Sequence, residues 1–246
     1  MKNVFSPEKI DVLILCGGEG KRLRGIIEDR PKPMAEIRGR PFLDILIDYI
    51  ASQGFRRFIL CAGYKGEIVR RYYKNKHGSL NILVLKESKL LGTAGAIKNA
   101  ESIIKSNPFL VMNGDSFCSL DLHKFINFHK EKKASFSMVL VNTKANKDYG
   151  VVNIDSSRRI ISFSEKIKAK KGVLINSGIY LFGKRIFSVI EAGKKLSLEC
   201  DIFPRIVAEG FYGYVTKGRF IDIGTPDRYE RAKGRFRLCH PKKLIY

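Results

Sequence analysis

Apolar positions along this chain follow two periods, and the switches between them mark its elements. Asp11–Leu15 is a short β-branched and apolar run of strand length, broken by Cys16-Gly17-Gly18-Glu19-Gly20. From Pro41 the period lengthens. Phe42, Ile45, Leu46, Tyr49 and Ile50 recur at i, i+3, i+4, i+7 and i+8, one face of a helix that Gly54 closes. Strands are predicted next at Phe58–Ala62, Ile82–Leu85 and Phe109–Met112, with helices at Lys65–Tyr73 and Thr93–Ile104 between them. Four strands alternating with helices over about 110 residues predict parallel βαβ units. The second half is denser in strands. After a helix at Leu122–Lys132 come Ser135–Val141, Val151–Ile154, Ile160–Ser164 and Ile175–Phe182. Helical stretches at Arg185–Ile190 and Leu198–Glu209 follow, then a hairpin-like pair, Gly213–Thr216 and Phe220–Ile223. Thr225-Pro226 opens a last helix, with proline in its first turn. The expected fold is α/β and Rossmann-like, a mixed, mostly parallel sheet flanked by helices.

Composition narrows the class. The 246 residues are 44% hydrophobic and 28% charged, the balance of a soluble globular protein. No apolar run approaches the roughly 20 residues that a membrane helix needs. Met1–Asp11 carries charge and Pro7 rather than an apolar signal region, so a cytoplasmic protein without membrane insertion is expected. Cys16, Cys61, Cys118, Cys200 and Cys239 are scattered singly, which argues against a disulfide framework or a structural zinc site. Cys16 and Cys61 lie in apolar runs and are expected as buried thiols. The net charge of +22 bears on partners. Such a field binds nucleic-acid backbones, steers small polyanions into a cleft, or simply solvates a surface. The basic clusters Lys168–Lys171 and Arg231–Lys243 lack the interleaved aromatics of a stacking platform, so no nucleic-acid partner is expected.

Candidate chemistry begins at the first glycine cluster. Cys16-Gly17-Gly18-Glu19-Gly20-Lys21-Arg22-Leu23 follows a strand directly, where glycines let backbone N–H groups converge on a phosphate. Lys21, Arg22 and Arg24 add cations, and the prolines of Pro31-Lys32-Pro33-Met34 restrict the arc of Lys32. Neither the P-loop pattern nor G-x-G-x-x-G fits. Asn113-Gly114-Asp115 ends the fourth strand, on the side where open α/β sheets hold ligands, and a carboxylate there suits Mg²⁺.

These residues resemble the sugar-phosphate nucleotidyltransferase family, whose opening reads G-G-x-G-T-R-L followed by P-K-P-M or P-K-P-L. Further matches come in the family's order: Leu91-Gly-Thr-Ala-Gly-Ala-Ile97, Asn113-Gly-Asp115, Tyr149-Gly150, Glu165-Lys166, Asn176-Ser-Gly-Ile-Tyr180 and Phe220-Ile-Asp-Ile-Gly-Thr-Pro226. The resemblance implies the fold of that family and its reaction: a nucleoside triphosphate and a sugar 1-phosphate give a nucleotide sugar and pyrophosphate, with Mg²⁺. By the same resemblance Arg22 holds the leaving pyrophosphate, and Lys32 lies near the α-phosphate and the attacking phosphate. Asp115 and Asp222 hold the metal, and Lys166 receives the sugar phosphate. Leu15, Gly17, Gly18, Gly20, Lys21, Glu87, Gly92, Thr93, Asn113 and Gly114 form the nucleotide side, with Glu87 a candidate reader of a guanine edge or an exposed strand end. Tyr149, Gly150, Glu165, Lys166 and Asn176 form the sugar side. A single domain spanning 1–246 is expected, its nucleotide-binding half about 11–120 and its sugar-phosphate half about 121–246. Two departures stand out. Lys21 replaces the family's threonine, and no proline follows Lys166.

The implied nucleophile, a phosphate monoester with a second pKa near ~6, is mostly dianionic at neutral pH and needs no base. His77, His123, His129 and His240 fall outside the motifs and are expected at the surface. Within the family, the short length, Arg30-Pro-Lys-Pro-Met-Ala35 and the Phe220–Pro226 run most resemble the D-glycero-D-manno-heptose 1-phosphate guanylyltransferases. Mannose 1-phosphate guanylyl transfer, glucose 1-phosphate cytidylyl or thymidylyl transfer, and an inert regulatory homologue are the alternatives. The joint presence of Arg22, Lys32, Asp115, Lys166 and Asp222 speaks against the last. Homo-oligomerisation stays open.

Overall fold

The computed structural model describes residues 6–23, 25–74, 78–142, 147–169, 172–238 and 244–245; side chains at 21, 147–148, 165–169, 237–238 and 244–245 lie outside that description. Strands β1 (Asp11–Leu15), β2 (Arg57–Ala62), β3 (Asn81–Lys86) and β4 (Phe109–Asn113) run parallel in the order β4-β1-β2-β3. Helices α1 (Phe42–Ser52), α2 (Gly66–Tyr73) and α3 (Gly92–Asn99) connect them in turn. β1 is apolar without alternation because it is covered on both faces: Val12 and Ile14 enter one cluster and Leu13 the other.

The chain continues through β5 (Ser116–Cys118), α4 (Leu122–Glu131), β6 (Phe136–Asn142), β7 (Lys147–Ile154), β8 (Ile160–Ala169) and β9 (Leu174–Phe182). β10 (Phe211–Thr216), β11 (Phe220–Asp222) and α5 (Pro226–Arg235) follow, and a short antiparallel pair, Arg237–Leu238 with Leu244–Ile245, comes last. β9 joins the halves by pairing antiparallel with β4, β6 and β7. The result is a nine-stranded mixed sheet, β8-β7-β9-β4-β1-β2-β3, with β6 bonded to β9 and β10 to β6.

A third apolar cluster lies off the sheet. It gathers Leu23, Ala35, Phe117, Ile221 and Ile223 around Phe42, Ile45 and Leu46 of α1 and Tyr229 and Ala232 of α5. α1 therefore buries two stripes, since its Leu43, Ile47 and Ile50 enter the first cluster.

Tertiary contacts revise several expectations. The helix begun at Gly92 stops at Asn99 rather than Ile104. Beyond it the Ile103 carbonyl accepts from Arg57 (2.9 Å) and the Ser106 N–H donates to buried Asp11 (3.0 Å), so distant side chains rather than a helical ladder hold the segment. The stretch 198–209 is a π-helical turn, Leu198–Ile202, then Phe203–Ile206 and a 3₁₀ turn, because Pro204 has no N–H to continue one ladder. The hairpin-like pair is no hairpin. β10 runs parallel to β6, whereas β11 pairs antiparallel with β5. The linker between them is drawn onto Ser119, whose N–H donates to the Arg219 carbonyl (3.0 Å). His129 is buried, not at the surface, with Nδ1 2.8 Å from the Ser137 hydroxyl; burial pushes its pKa down to about 4. His123 is exposed. Cys16, Cys61 and Cys118 are buried thiols and Cys200 is exposed. Arg24, His77, Lys170, Lys171, Cys239, His240 and residues 241–243 lie outside the described residues.

Candidate active site

A cleft of about 440 Å³ opens beyond the carboxyl ends of β1, β3 and β4, reached by Leu15, Glu87 and Asn113. The glycine loop forms its floor. Gly17 is closely approached: a Cβ there would stand 2.6 Å from Oε1 of Glu87 and 3.1 Å from the Gly63 backbone nitrogen, so the Glu87 carboxylate would have to move. Glu87 is buried, and its Oε2 accepts the Leu91 N–H at 3.0 Å. Burial raises its carboxyl above the usual carboxylate range, against the pull of that hydrogen bond.

Opposite the loop, Gly92 takes φ +71°, and a Cβ on it would collide with the Leu196 carbonyl. That carbonyl accepts the Ala94 N–H (2.9 Å), and the Leu196 N–H donates to the Leu91 carbonyl (2.9 Å). The Thr93 hydroxyl donates to Glu199 (3.1 Å) and accepts the Leu198 N–H (2.7 Å). The segment before Leu198 is thereby fastened to the start of α3, and Lys195 is brought to the cleft wall.

The charged centre lies at the other end. Lys32, held in a 3₁₀ turn between two prolines, places Nζ 2.5 Å from Oδ2 of Asp115. Burial alone would raise the Asp115 carboxyl. The charge and hydrogen bond of Lys32, helped by the charge of Arg22, more than offset this and hold it below the usual carboxylate range. Asp115 is in the turn after β4 rather than at the strand's own end, with the Gly114 N–H bonded to the Leu15 carbonyl (3.0 Å). Pairing of β11 with β5 puts Asp222 opposite Ser116, and the Ile223 N–H donates to the Asp115 carbonyl at 3.0 Å. Two acidic residues 107 positions apart in sequence (222 less 115) are thus brought together by adjoining backbone, with Asp115 in the cleft lining and Asp222 outside it.

The comparisons with known proteins bear on this arrangement. Residues 11–236 match the nucleotidyl transferase family. The chain belongs to that family. It is 37% identical over 225 residues to the D-glycero-alpha-D-manno-heptose 1-phosphate guanylyltransferase of Aneurinibacillus thermoaerophilus, covering 91% of this chain and 97% of that one. Identity to the mannose-1-phosphate guanylyltransferase of Mycobacterium tuberculosis is 32%, over 93% of this chain and 65% of the relative. Among solved structures, HddC from Yersinia pseudotuberculosis superposes with a TM-score of 0.82 at 37% identity, over 92% of this chain and 99% of that chain. HddC is also known complexed with GMP-PN.

In this nucleotidyltransferase the cleft collects Leu15, Gly17, Gly18, Gly20, Arg22 and Lys32 from the first half of the glycine-proline region. Glu87, Gly92, Thr93 and Asn113 of the expected nucleotide side also line it, as does Asp115, with Gly114 packed directly behind. The side chain of Lys21 is outside the described residues. Among the described sugar-side residues, Tyr149, Gly150 and Asn176 do not line this cleft. Asn176 spends its amide internally, donating to the Tyr180 hydroxyl (2.8 Å) and accepting the Gly178 N–H (2.9 Å). Glu165 and Lys166 fall in a register irregularity of β8 between Ser164 and Ile167, next to the rung that pairs Ile167 with Tyr149, and their side chains are not described. Gly150 follows Tyr149 on β7.

Two residues at the site escaped sequence reasoning. Lys195 belongs to no motif, and nothing in the sequence places Gly193-Lys194-Lys195 against α3. Arg228 ion-pairs with Asp222, its Nη1 2.9 Å from Oδ1, and sets its guanidinium 4.5 Å above the Tyr149 ring. The Tyr149 hydroxyl donates to Oδ2 of Asp222 (2.8 Å), and the Gly224 N–H donates to Oδ1 (3.1 Å). Burial, then the Asp222 charge, push the Tyr149 phenol well above its ordinary range. A hint was present in Thr225-Pro226-Asp227-Arg228, a capped helix start that carries a cation where anions are favoured.

The donor chemistry fits a hard dication. No group of three or more His, Cys, Asp or Glu side chains is assembled among the described residues. Asp115 and Asp222 would be the protein's two carboxylate ligands, and Mg²⁺ commonly binds through one or two carboxylates with substrate phosphates and water completing the shell.

Proposed function

We propose that this chain is a cytoplasmic enzyme that joins the guanylyl group of GTP to D-glycero-D-manno-heptose 1-phosphate, releasing pyrophosphate. The observation that carries the reading is the contact between Lys32 and Asp115 in the lining of a cleft that also takes Gly17, Gly18, Gly20 and Arg22, with the Ile223 N–H, next to Asp222, bonded to the Asp115 carbonyl. The choice of base and sugar rests on the 37% identity to heptose 1-phosphate guanylyltransferases over nearly the whole length of both chains. The alternative of mannose 1-phosphate is supported by the 32% relative.

The difficulty in such a reaction is bringing a phosphate dianion onto a triphosphate, not generating a nucleophile. Positioned positive charge lowers that barrier. Lys32 is suited to the meeting point of the two phosphates, since its ammonium is nearly buried and already oriented by Asp115. Arg22 is suited to the departing pyrophosphate. Lys166 is assigned the incoming sugar phosphate by its family match alone. A divalent cation, Mg²⁺, held by Asp115 and Asp222 would supply charge neutralisation at the phosphates. No side chain here is required to move a proton.

The test crosses GTP, CTP, UTP and dTTP with heptose, mannose and glucose 1-phosphates and detects pyrophosphate. The GTP and heptose pair is expected to give the highest kcat/KM, and activity is expected to vanish with EDTA. A higher kcat/KM for mannose 1-phosphate would overturn the sugar assignment, and one for a pyrimidine triphosphate would overturn the base.

A further inference from the structure

Arg228 is expensive where it stands. It occupies the first turn of α5, the helix end whose unpaired N–H groups disfavour a cation. Its side chain is 11% exposed and that of Asp222 is 13%, so the pair has lost most of its water. The position is held by three features that converge on one carboxylate. Arg228 and the Gly224 N–H take Oδ1, the Tyr149 hydroxyl takes Oδ2, and the guanidinium rests on the same tyrosine ring. A carboxylate offers about four acceptor directions, so Asp222 has most of its capacity committed to the protein. Asp115 is likewise engaged, by Lys32.

The local charge balance follows. Among the groups shown to act on Asp115 and Asp222, two carboxylates face three cations: Lys32 and Arg228 in ion pairs, and Arg22 beside Gly224, an excess of one positive charge. A dication arriving alone enters a site that is already cationic. A dication carried on a triphosphate arrives with a net negative charge, and the same three cations then attract it.

We propose that Arg228 keeps the Asp115–Asp222 pair from taking a divalent cation on its own, so that the metal enters only with the triphosphate. This rests on the reading of Asp222 as the second metal carboxylate. Arg228 touches no substrate in this scheme; it acts through Asp222, as a positioning residue that sets the order of assembly. Its charge is the operative property, and Tyr149 keeps that charge in place.

Mn²⁺ binding, followed by the electron paramagnetic resonance signal of the free ion, tests the idea without turnover. Wild type, Arg228→Met, Arg228→Gln, Arg228→Lys and Asp222→Asn are titrated with Mn²⁺ alone and with a non-hydrolysable GTP analogue. Without nucleotide, Arg228→Met and Arg228→Gln are expected to bind Mn²⁺ at least about tenfold more tightly than wild type, and Arg228→Lys to stay near wild type. Adding Asp222→Asn to either charge-removing variant is expected to abolish the gain. With the analogue present the variants and wild type are expected to converge. If both charge-removing variants bind Mn²⁺ no better than wild type, while Asp222→Asn still weakens Mn²⁺ uptake with the analogue, the gating role is wrong and the metal assignment stands. If Asp222→Asn takes up Mn²⁺ like wild type with the analogue, the metal assignment itself falls. Thermal melts of each variant accompany the titrations, and the glutamine and lysine variants decide the matter if the methionine variant does not fold.

Discussion

Glu87 brings a carboxylate into a buried position and commits one of its oxygens to the Leu91 N–H, leaving Oε1 against Gly17 at the cleft. A glutamine can keep the Leu91 bond through its carbonyl oxygen, but then turns an amide donor toward the cleft. Glu87→Gln is therefore expected to lower kcat/KM for GTP by ~1–3 kcal/mol in transition-state terms while sparing pyrimidine triphosphates. Steady-state kinetics with GTP and CTP check this, and equal losses with both would mean that Glu87 only shapes the loop. Single residues were legible in the sequence where a short motif carries them to the cleft, as for Arg22, Lys32 and Asp115, which the structure gathers in one lining. They were illegible where the partner is distant and the motif silent. Nothing in the sequence predicts that Arg228 will lie over Tyr149, 79 positions away (228 less 149), or that His129 will be buried against Ser137.

At the scale of elements, the contact between α3 and the segment before Leu198 is the most demanding piece of local geometry. Gly92 and Gly193 both have φ near +70° (+71° and +72°), but only Gly92 faces another backbone, while Gly193 has open space around its Cα. Gly193→Ala is expected to cost ~1–2 kcal/mol of stability from the left-handed backbone alone. Gly92→Ala should cost a further ~1–3 kcal/mol because Leu196 must shift. It should also raise KM for the triphosphate, since that shift moves the wall carrying Lys195. Urea denaturation and KM measurements on both variants separate strain from collision, and equal effects would rule out the collision. Strands β1 to β4 and helices α1 and α2 could be read directly because their burial imposes a strong period. The end of α3, the broken helix at 198–209 and the partners of β10 and β11 could not. In each, distant hydrogen bonds choose between local alternatives that look alike in sequence.

Across the whole molecule, the net charge of +22 and the cleft cations Arg22, Lys32 and Lys195 are expected to draw in polyphosphates. Raising ionic strength from about 20 to about 300 mM is expected to lower kcat/KM for the triphosphate at least ~fivefold and to change kcat little, because screening acts on encounter more than on bound contacts. Flat kcat/KM in stopped-flow or steady-state measurements would reduce the charge to a solvated surface. The third apolar cluster has a different kind of consequence. It seats Leu23 beside Arg22, Ala35 near Lys32, Phe117 near Asp115 and Ile221 and Ile223 around Asp222, and among the described residues it takes none from β7, β8 or β9. Descent with modification can therefore work on the two halves at different rates. Change along β7 and β8 away from Tyr149 is expected to leave the packing around Arg22, Lys32 and Asp115 as it is, whereas Tyr149, bound to Asp222, has no such latitude.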